Sequence, residues 1–363
     1  MIPEKLADIT VGWLNDALHE NGFMENNHIA TLTQEPVGAG AGNLSQMAKL
    51  SVSFDHYDAN LPTTMVVKIP TLYESAREIG RQLNAYERET RFYIDVASHI
   101  PMRTPQLIYG AADSENERYV LLLEDCSNCA VIDQVKGLDL ELSQLIAIKL
   151  ADFHSAYWNS DDISRFAWLP RPRGPQMQAT VDVLRTSVDA CAKSDEFKQM
   201  LPEGGWEVCL KVYDKAPLMV QSVSDENLTI IHSDFRADNM FLDYDTPDDP
   251  LVVFDWQMVQ VSRGPFDLAY LLGASIEIDL RRQIEKDIVR LYHNRLLENG
   301  VSGYDFDECW SDYLKGWLMY TYILTMAFAS LDMSNPRAAE LLRRAEDRWF
   351  TAILDNDATR VLP

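Results

Sequence analysis

Between residues 228 and 257 the chain reads LTIIHSDFRADNMFLD, a short polar stretch and then LVVFDWQ. This is a His-x-Asp-x-x-x-x-Asn run followed by an aspartate that closes an apolar strand, and it constrains the chain more than any other feature. Phosphoryl transfer needs a carboxylate beside the attacking hydroxyl and hard oxygen ligands for Mg²⁺, because its catalysis is mostly positioning and charge neutralisation. Asp234 suits the first role, and Asn239 and Asp255 suit the second. Taken singly, Asp234, Asp238 and Asn239 are also ordinary turn formers between strands. The spacing, together with the apolar strand that delivers Asp255, favours the chemical reading.

Upstream features point the same way. Gly38, Gly40 and Gly42 lie in the segment EPVGAGAGN, where a flexible flap could bring backbone N–H groups close to phosphates. A strand follows them and no Gly-Lys-Ser/Thr appears, so neither a dinucleotide fingerprint nor a Walker loop is satisfied; an ordinary hairpin turn is the other reading. Lys68 sits inside the apolar strand MVVKI, where a buried ammonium is costly unless a carboxylate or phosphate meets it. Glu89, on a predicted helix over 73–97, can face it, with Glu87 as the competitor.

The arrangement of elements is two-part. The first third alternates strand and helix signals: strand, glycine turn and strand, then TTMVVKIP, the helix, and a hairpin of QLIYG and RYVLLLED joined by ADSENE. After Asp125 the pattern becomes long helices, predicted at 138–158, 206–220, 266–278, 280–299 and from 307 to the end with a break near Pro336. Two short strands, LTII and LVVFD, are embedded among them, and RPRGPQ after Pro170 reads as a loop. The expectation is an α+β chain with a small antiparallel sheet in an N-terminal nucleotide-binding lobe (1–125), a hinge near 123–127, and a mainly helical C-terminal lobe (126–363) that carries the loop 232–239 and Asp255.

This set resembles the aminoglycoside phosphotransferase and choline kinase branch of the protein-kinase-like fold, along nearly the whole chain. Bacterial small-molecule phosphotransferases of that branch have a loop similar to H-G-D-[FY]-R-x-D-N, then D-W-Q and G-P-x-x-D-[LV]-A-Y; here the counterparts are HSDFRADN, FDWQ and GPFDLAYLL. The sequence departs at Ser233, where the family usually has Gly. The resemblance implies a bilobal fold that uses ATP and Mg²⁺, with Asp234 as catalytic base and Asn239 and Asp255 as Mg²⁺ ligands. Lys68 is then the contact to the α- and β-phosphates, Glu89 its ion-pair partner, and the backbone of Glu124 and Cys126 the adenine hinge. His232 and Asp267 would brace the loop, and His154 reads as a packed core histidine. Arg236, where protein kinases have a Lys facing the transferred phosphate, either offsets developing charge or pairs with the acidic segment 243–249.

The implied acceptor is a hydroxyl of a small molecule, since only residues 258–263 separate FDWQ from GPFDLAY and leave no recognisable activation segment to seat a peptide. Trp310, Trp317, Tyr320 and Tyr322 lie at helical spacing, as core or as pocket lining. With 56 acidic against 32 basic residues the net charge is −24, which repels nucleic acid and anionic membranes and would attract a cationic acceptor. The five cysteines are scattered and odd in number, and the Cys126–Cys129 pair has no second pair to complete a zinc site. With no signal-peptide pattern at the N-terminus and an apolar stretch at 316–331 too short to span a bilayer, a cytoplasmic enzyme is expected. The rival reading is a catalytically silent nucleotide-binding regulator or scaffold of the same fold, which the intact Lys68, Asp234, Asn239 and Asp255 argue against.

Overall fold

A computed structural model describes residues 1–37, 44–171, 175–330 and 335–363, with side chains at all of these except 175–177, 329 and 330. Gly38, Gly40 and Gly42 lie outside the described residues. The chain forms two compact units, one made of Met1–Ala130 and Phe241–Met258, the other of Val131–Met240 and Val259–Pro363.

The first unit opens with helix α1 (Val11–Glu20), whose first turn is capped by Thr10 accepting from the Trp13 N–H. Strands β1 (Ile29–Val37), β2 (Ser45–Phe54) and β3 (Thr64–Pro70) follow, then helices α2 (Glu74–Gln82) and α3 (Ala85–Asp95), and strands β4 (Leu107–Asp113) and β5 (Arg118–Glu124). The five strands make one antiparallel sheet in the order β1-β2-β3-β5-β4. Alternate residues of a strand face opposite sides. Ala48, Leu50, Val52, Met65, Val67 and Ile69 therefore enter one core with Leu14 and Leu18 of α1, while Lys68 points to the other side.

The single helix predicted over 73–97 is two helices. Asn84 breaks it by taking a left-handed conformation at φ 52°, which Asn tolerates better than most residues. The chain folds back so tightly there that a Cβ on Gly80 would lie 2.6 Å from the Tyr86 ring.

The second unit is mainly helical. Its centre is the helix Pro265–Ser275, buried at every position, with Pro265 in the first turn, where a missing N–H costs nothing. Around it run Leu140–Ser155, Gly205–Gln221, Ile278–Glu298, Phe306–Met319, Thr321–Ser330 and Pro336–Asp355. The segment read as a loop after Pro170 gives way at Pro175 to a helix reaching Cys191, whose Val181, Leu184, Val188 and Cys191 are buried at helical spacing. The C-terminal helix predicted from 307 is interrupted earlier than Pro336, at Tyr320, whose ring is held against Phe266, Tyr270 and Trp349. Strand Leu228–Ile231 pairs antiparallel with Gln260–Arg263, a strand inside the link read at 258–263. Among the described residues no helix is long and apolar enough to cross a membrane.

Candidate active site

In the first unit the alternation of β3 delivers Lys68 to a charged cluster. Its Nζ lies 2.7 Å from Glu89 Oε1 and 2.9 Å from Asp255 Oδ1. Glu87 is engaged elsewhere, by Asn84 Nδ2 and Ser114 Oγ, so Glu89 is the partner. Burial pulls the Lys68 ammonium down, but Asp255 and Glu89 more than reverse this and hold it above its ordinary value. It is a fixed positive charge.

Both carboxylates are placed by neighbours in the sequence. One turn after Glu89, Phe92 stacks on Trp256, with ring centroids 3.9 Å apart and planes 9° from parallel. Trp256 Nε1 donates to the Val253 carbonyl, and Val253 N donates to the Arg103 carbonyl. Asp255 sits between them in a left-handed conformation, φ 64°, a strained geometry for a residue with a side chain. Of the three charged side chains Asp255 is the most open, at 31% exposure against 12% for Lys68 and 5% for Glu89.

At the end of β5, the Glu124 N–H is committed to the Gln106 carbonyl at 2.9 Å, and its carboxylate accepts from the Gln106 N–H at 3.0 Å. Lys49 ties the following residues by contacts to Asp125 and Ser127. Cys126 is buried, and burial pushes its thiol up to about 12. It is therefore uncharged at neutral pH and offers its backbone rather than a thiolate.

In the second unit, Asp267 stands in the first turn of the buried central helix and is itself fully buried. Its Oδ2 accepts the His232 N–H at 2.6 Å and its Oδ1 the Ser233 N–H at 2.8 Å. His154 Nε2 stands 3.4 Å from the same carboxylate, and its Nδ1 is 2.7 Å from the Tyr292 hydroxyl. Burial keeps His154 below its ordinary value despite Asp267, so the ring is a neutral spacer in the core. Ser233 adopts φ 68°. That conformation explains why Gly is usual at this position, and here the Ser233 hydroxyl gains a hydrogen bond from Gln260 Nε2 at 2.8 Å.

The anchored strand end presents Asp234, whose side chain is 23% exposed. Asn239 Nδ2 donates to Asp234 Oδ2 at 2.8 Å and to its carbonyl at 2.9 Å, and Ala237 N donates to Ser275 Oγ at 3.0 Å. The Arg236 Nε–H faces both Asp234 oxygens, at 3.2 and 3.3 Å, and its NH1 reaches Gln134 Oε1 at 3.1 Å and Asp238 at 3.4 Å. In the first unit Arg103 meets the acidic segment 243–249, at 2.7 Å from Asp243. Tyr270 comes within hydrogen-bonding reach of Asp234, and burial followed by that carboxylate raises its hydroxyl well above the ordinary value. Tyr270 closes the GPFDLAY motif without a role having been read for it, whereas Gln134, Gln260 and Ser275 escaped the sequence reading because nothing in their local pattern distinguishes them from generic helix and loop residues. Trp317 and Tyr320 are core, whereas Trp310 and Tyr322 remain partly exposed.

Comparisons with known proteins bear on this geometry. The uncharacterized oxidoreductase dhs-27 of Caenorhabditis elegans is 20% identical over 329 residues, covering 83% of this chain, which spans only 39% of that relative's length. The GDP complex of a mutant aminoglycoside 2'-phosphotransferase-IIIa is similar with a TM-score of 0.54 over 96% of this chain and 98% of its own, at 13% identity. The Plasmodium vivax ethanolamine kinase gives 0.54 over 93% and 85%, at 11% identity. These likenesses establish an α+β, bilobal, protein-kinase-like fold. The model of the ecdysteroid kinase-like family matches residues 39–301, a span that includes Lys68, Glu89, Asp234, Asn239 and Asp255, and the chain belongs to that family.

Proposed function

We propose that this protein transfers the γ-phosphate of ATP to a hydroxyl of a small molecule, with Mg²⁺ as cofactor. The observation that carries this is the Lys68 cluster: a lysine in an apolar strand, kept charged by two carboxylates, of which the more open one can turn to a metal. A lysine held this way is a preformed anchor for anionic phosphate oxygens.

In this reading Lys68 binds the α- and β-phosphates, Glu89 keeps it in place, and the backbone at Glu124 and Cys126 receives the adenine. Glycines 38, 40 and 42 cover the phosphates. Asp234 accepts the proton of the acceptor hydroxyl as its oxygen bonds to the γ-phosphorus and the bond from that phosphorus to the β,γ-bridging oxygen breaks, releasing ADP. Arg236 faces the same carboxylate and can counter charge on the phosphoryl group.

The residues present fit a hard cation. Asn239 has its Nδ2 committed to Asp234, which leaves its amide oxygen as the ligand atom, and Asp255 supplies a carboxylate. Among the described residues no three His, Cys, Asp or Glu side chains gather as a metal cage, and Mg²⁺ is typically bound by one or two protein ligands completed by phosphate oxygens and water. When bound, Mg²⁺ would neutralise phosphate charge.

Because the family is named for ecdysteroid kinases, the acceptor panel begins with polyhydroxylated steroids and continues with ethanolamine, other amino alcohols and aminoglycosides. The net negative charge favours the cationic members. The expected outcome is Mg²⁺-dependent ADP release stimulated by one acceptor class, with a phosphate monoester of that acceptor identified by mass spectrometry. Absence of both MgATP binding and stimulated ADP release across the panel would remove the proposal.

A further inference from the structure

Arg236 is a planar, rigid fork, so fixing two of its nitrogens fixes the whole guanidinium. One of the two is held by Asp234 itself; the other, NH1, is held by Gln134 Oε1. Gln134 is only 3% exposed, and its backbone is tied at both ends. Its N–H donates to Asp238 Oδ1 at 3.1 Å, and its carbonyl accepts from Arg348 NH1 at 2.8 Å. Arg348, 2% exposed on the helix Pro336–Asp355, also holds the carbonyls of Val135 and Ala274. Three residues on, Leu138 N donates to the Ser275 carbonyl, while Ser275 Oγ holds the Ala237 N–H of the loop. The side chain of Gln134 therefore leaves a backbone that has no freedom to drift, and it is aimed at Arg236.

We propose that Gln134 is a positioning residue that sets the Arg236 guanidinium across the Asp234 carboxylate, so that the C-terminal helix, through Arg348, fixes the geometry of the catalytic loop. This rests on the reading of Asp234 as the base. With Gln134 in place, Arg236 Nε meets both Asp234 oxygens while Asn239 Nδ2 meets Oδ2. Without Gln134, NH1 loses a neutral acceptor that no other cation shares with it in these contacts, whereas Asp238, which NH1 also meets, is shared with Arg337 at 3.5 Å; the guanidinium is 24% exposed.

The test uses the full chain labelled with ¹⁵N-arginine, with the Arg236 Nε–H resonance assigned through Arg236→Lys. Wild type should show this resonance protected from solvent exchange. Gln134→Met, isosteric but without an acceptor, should lose the protection, as should Gln134→Asn, whose reach is shorter; Gln134→Glu, which restores an acceptor, should regain it. With the acceptor identified, Gln134→Met should lower kcat about tenfold, leave the KM for ATP within about twofold, and be rescued by Gln134→Glu. An unchanged Arg236 resonance in Gln134→Met and Gln134→Asn overturns the inference while leaving the phosphotransferase reading intact. If wild type transfers no phosphate at all, that reading fails, and the resonance alone still decides the role of Gln134.

Discussion

The two units answer the same physical problem, an acidic side chain out of reach of bulk water, in opposite ways. In the first, the buried Glu89 is met by an ammonium that the more open Asp255 shares, and charge answers charge. In the second, Asp267 is equally deep but meets two main-chain N–H groups and a neutral histidine. A Coulomb contact has little directional preference, so the Lys68 cluster can exchange a carboxylate for a phosphate without the backbone moving. Hydrogen bonds to backbone donors are directional, and they hold the end of a strand in one place. Under the proposed function, the phosphate-binding lysine benefits from the first arrangement and the general base from the second.

The sharpest way to break this comparison is to neutralise one acid in each unit. Asp234→Asn should bind MgATP as wild type does and lose transfer by about 100- to 10,000-fold, the usual worth of a general base. Asp255→Asn should lose MgATP binding as well. The readout is thermal stability with MgATP at about 100 times its Kd, where wild type and Asp234→Asn should gain roughly 3 °C and Asp255→Asn should gain nothing. A lost shift in Asp234→Asn beside an active Asp255→Asn would reverse the two roles.

The next effect concerns stability. Lys68→Met leaves the buried Glu89 without the ammonium that meets it and should cost about 3–5 kcal/mol in chemical denaturation. Adding Glu89→Leu to Lys68→Met should recover most of that, because removing both members of a buried pair is often close to neutral. A double variant less stable than Lys68→Met alone would show that Glu89 is held by something other than the lysine.

The third prediction concerns an acid answered by neither device. Glu346 is fully buried with no partner for either oxygen among the described residues, and burial raises its carboxyl to about 8. Its folded value thus lies above the unfolded one, so the folded chain keeps a proton that the unfolded chain releases. The associated stability is complete below the unfolded value and disappears as pH rises through about 8, at no more than about 1.4 kcal/mol per pH unit. Glu346→Gln should therefore melt at nearly the wild-type temperature at pH 5 and above it at pH 8.5. Parallel melting curves for the two proteins across that range would refute the assignment.

Much of this was legible in the sequence, for identifiable reasons. A lysine inside MVVKI demands a counter-charge wherever the chain goes, and Glu89 is at a spacing that can reach it. The apolar strands announce themselves by alternation, as at Leu50 and Val52. Asn84 did not stand out, because the hydrophobic period runs on through it and the break lies in one backbone angle. The helix Pro175–Cys191 begins in a Pro- and Gly-rich stretch that resembles a loop, and its buried positions are spread among polar ones. Contacts such as Gln134 with Arg236 join residues about a hundred apart, and no local pattern encodes them. Ser233 was visible as a departure, but its left-handed backbone and the Gln260 hydrogen bond that its hydroxyl gains there are properties of three dimensions.

The first unit is not continuous in the chain: it borrows Phe241–Met258, including Asp255 and the ring of Trp256 that Phe92 stacks on. On a ribosome, its sheet is synthesised well before those residues exist, with a delay of roughly ten seconds at about 5–20 residues per second. During that interval α3 lacks its aromatic support and Lys68 lacks one of its two carboxylates. Translation speed through residues 131–240 therefore sets how long the sheet waits, half-furnished, and a ribosomal pause there would expose the nascent chain to chaperones or proteases at the very surface that carries Lys68 and Glu89.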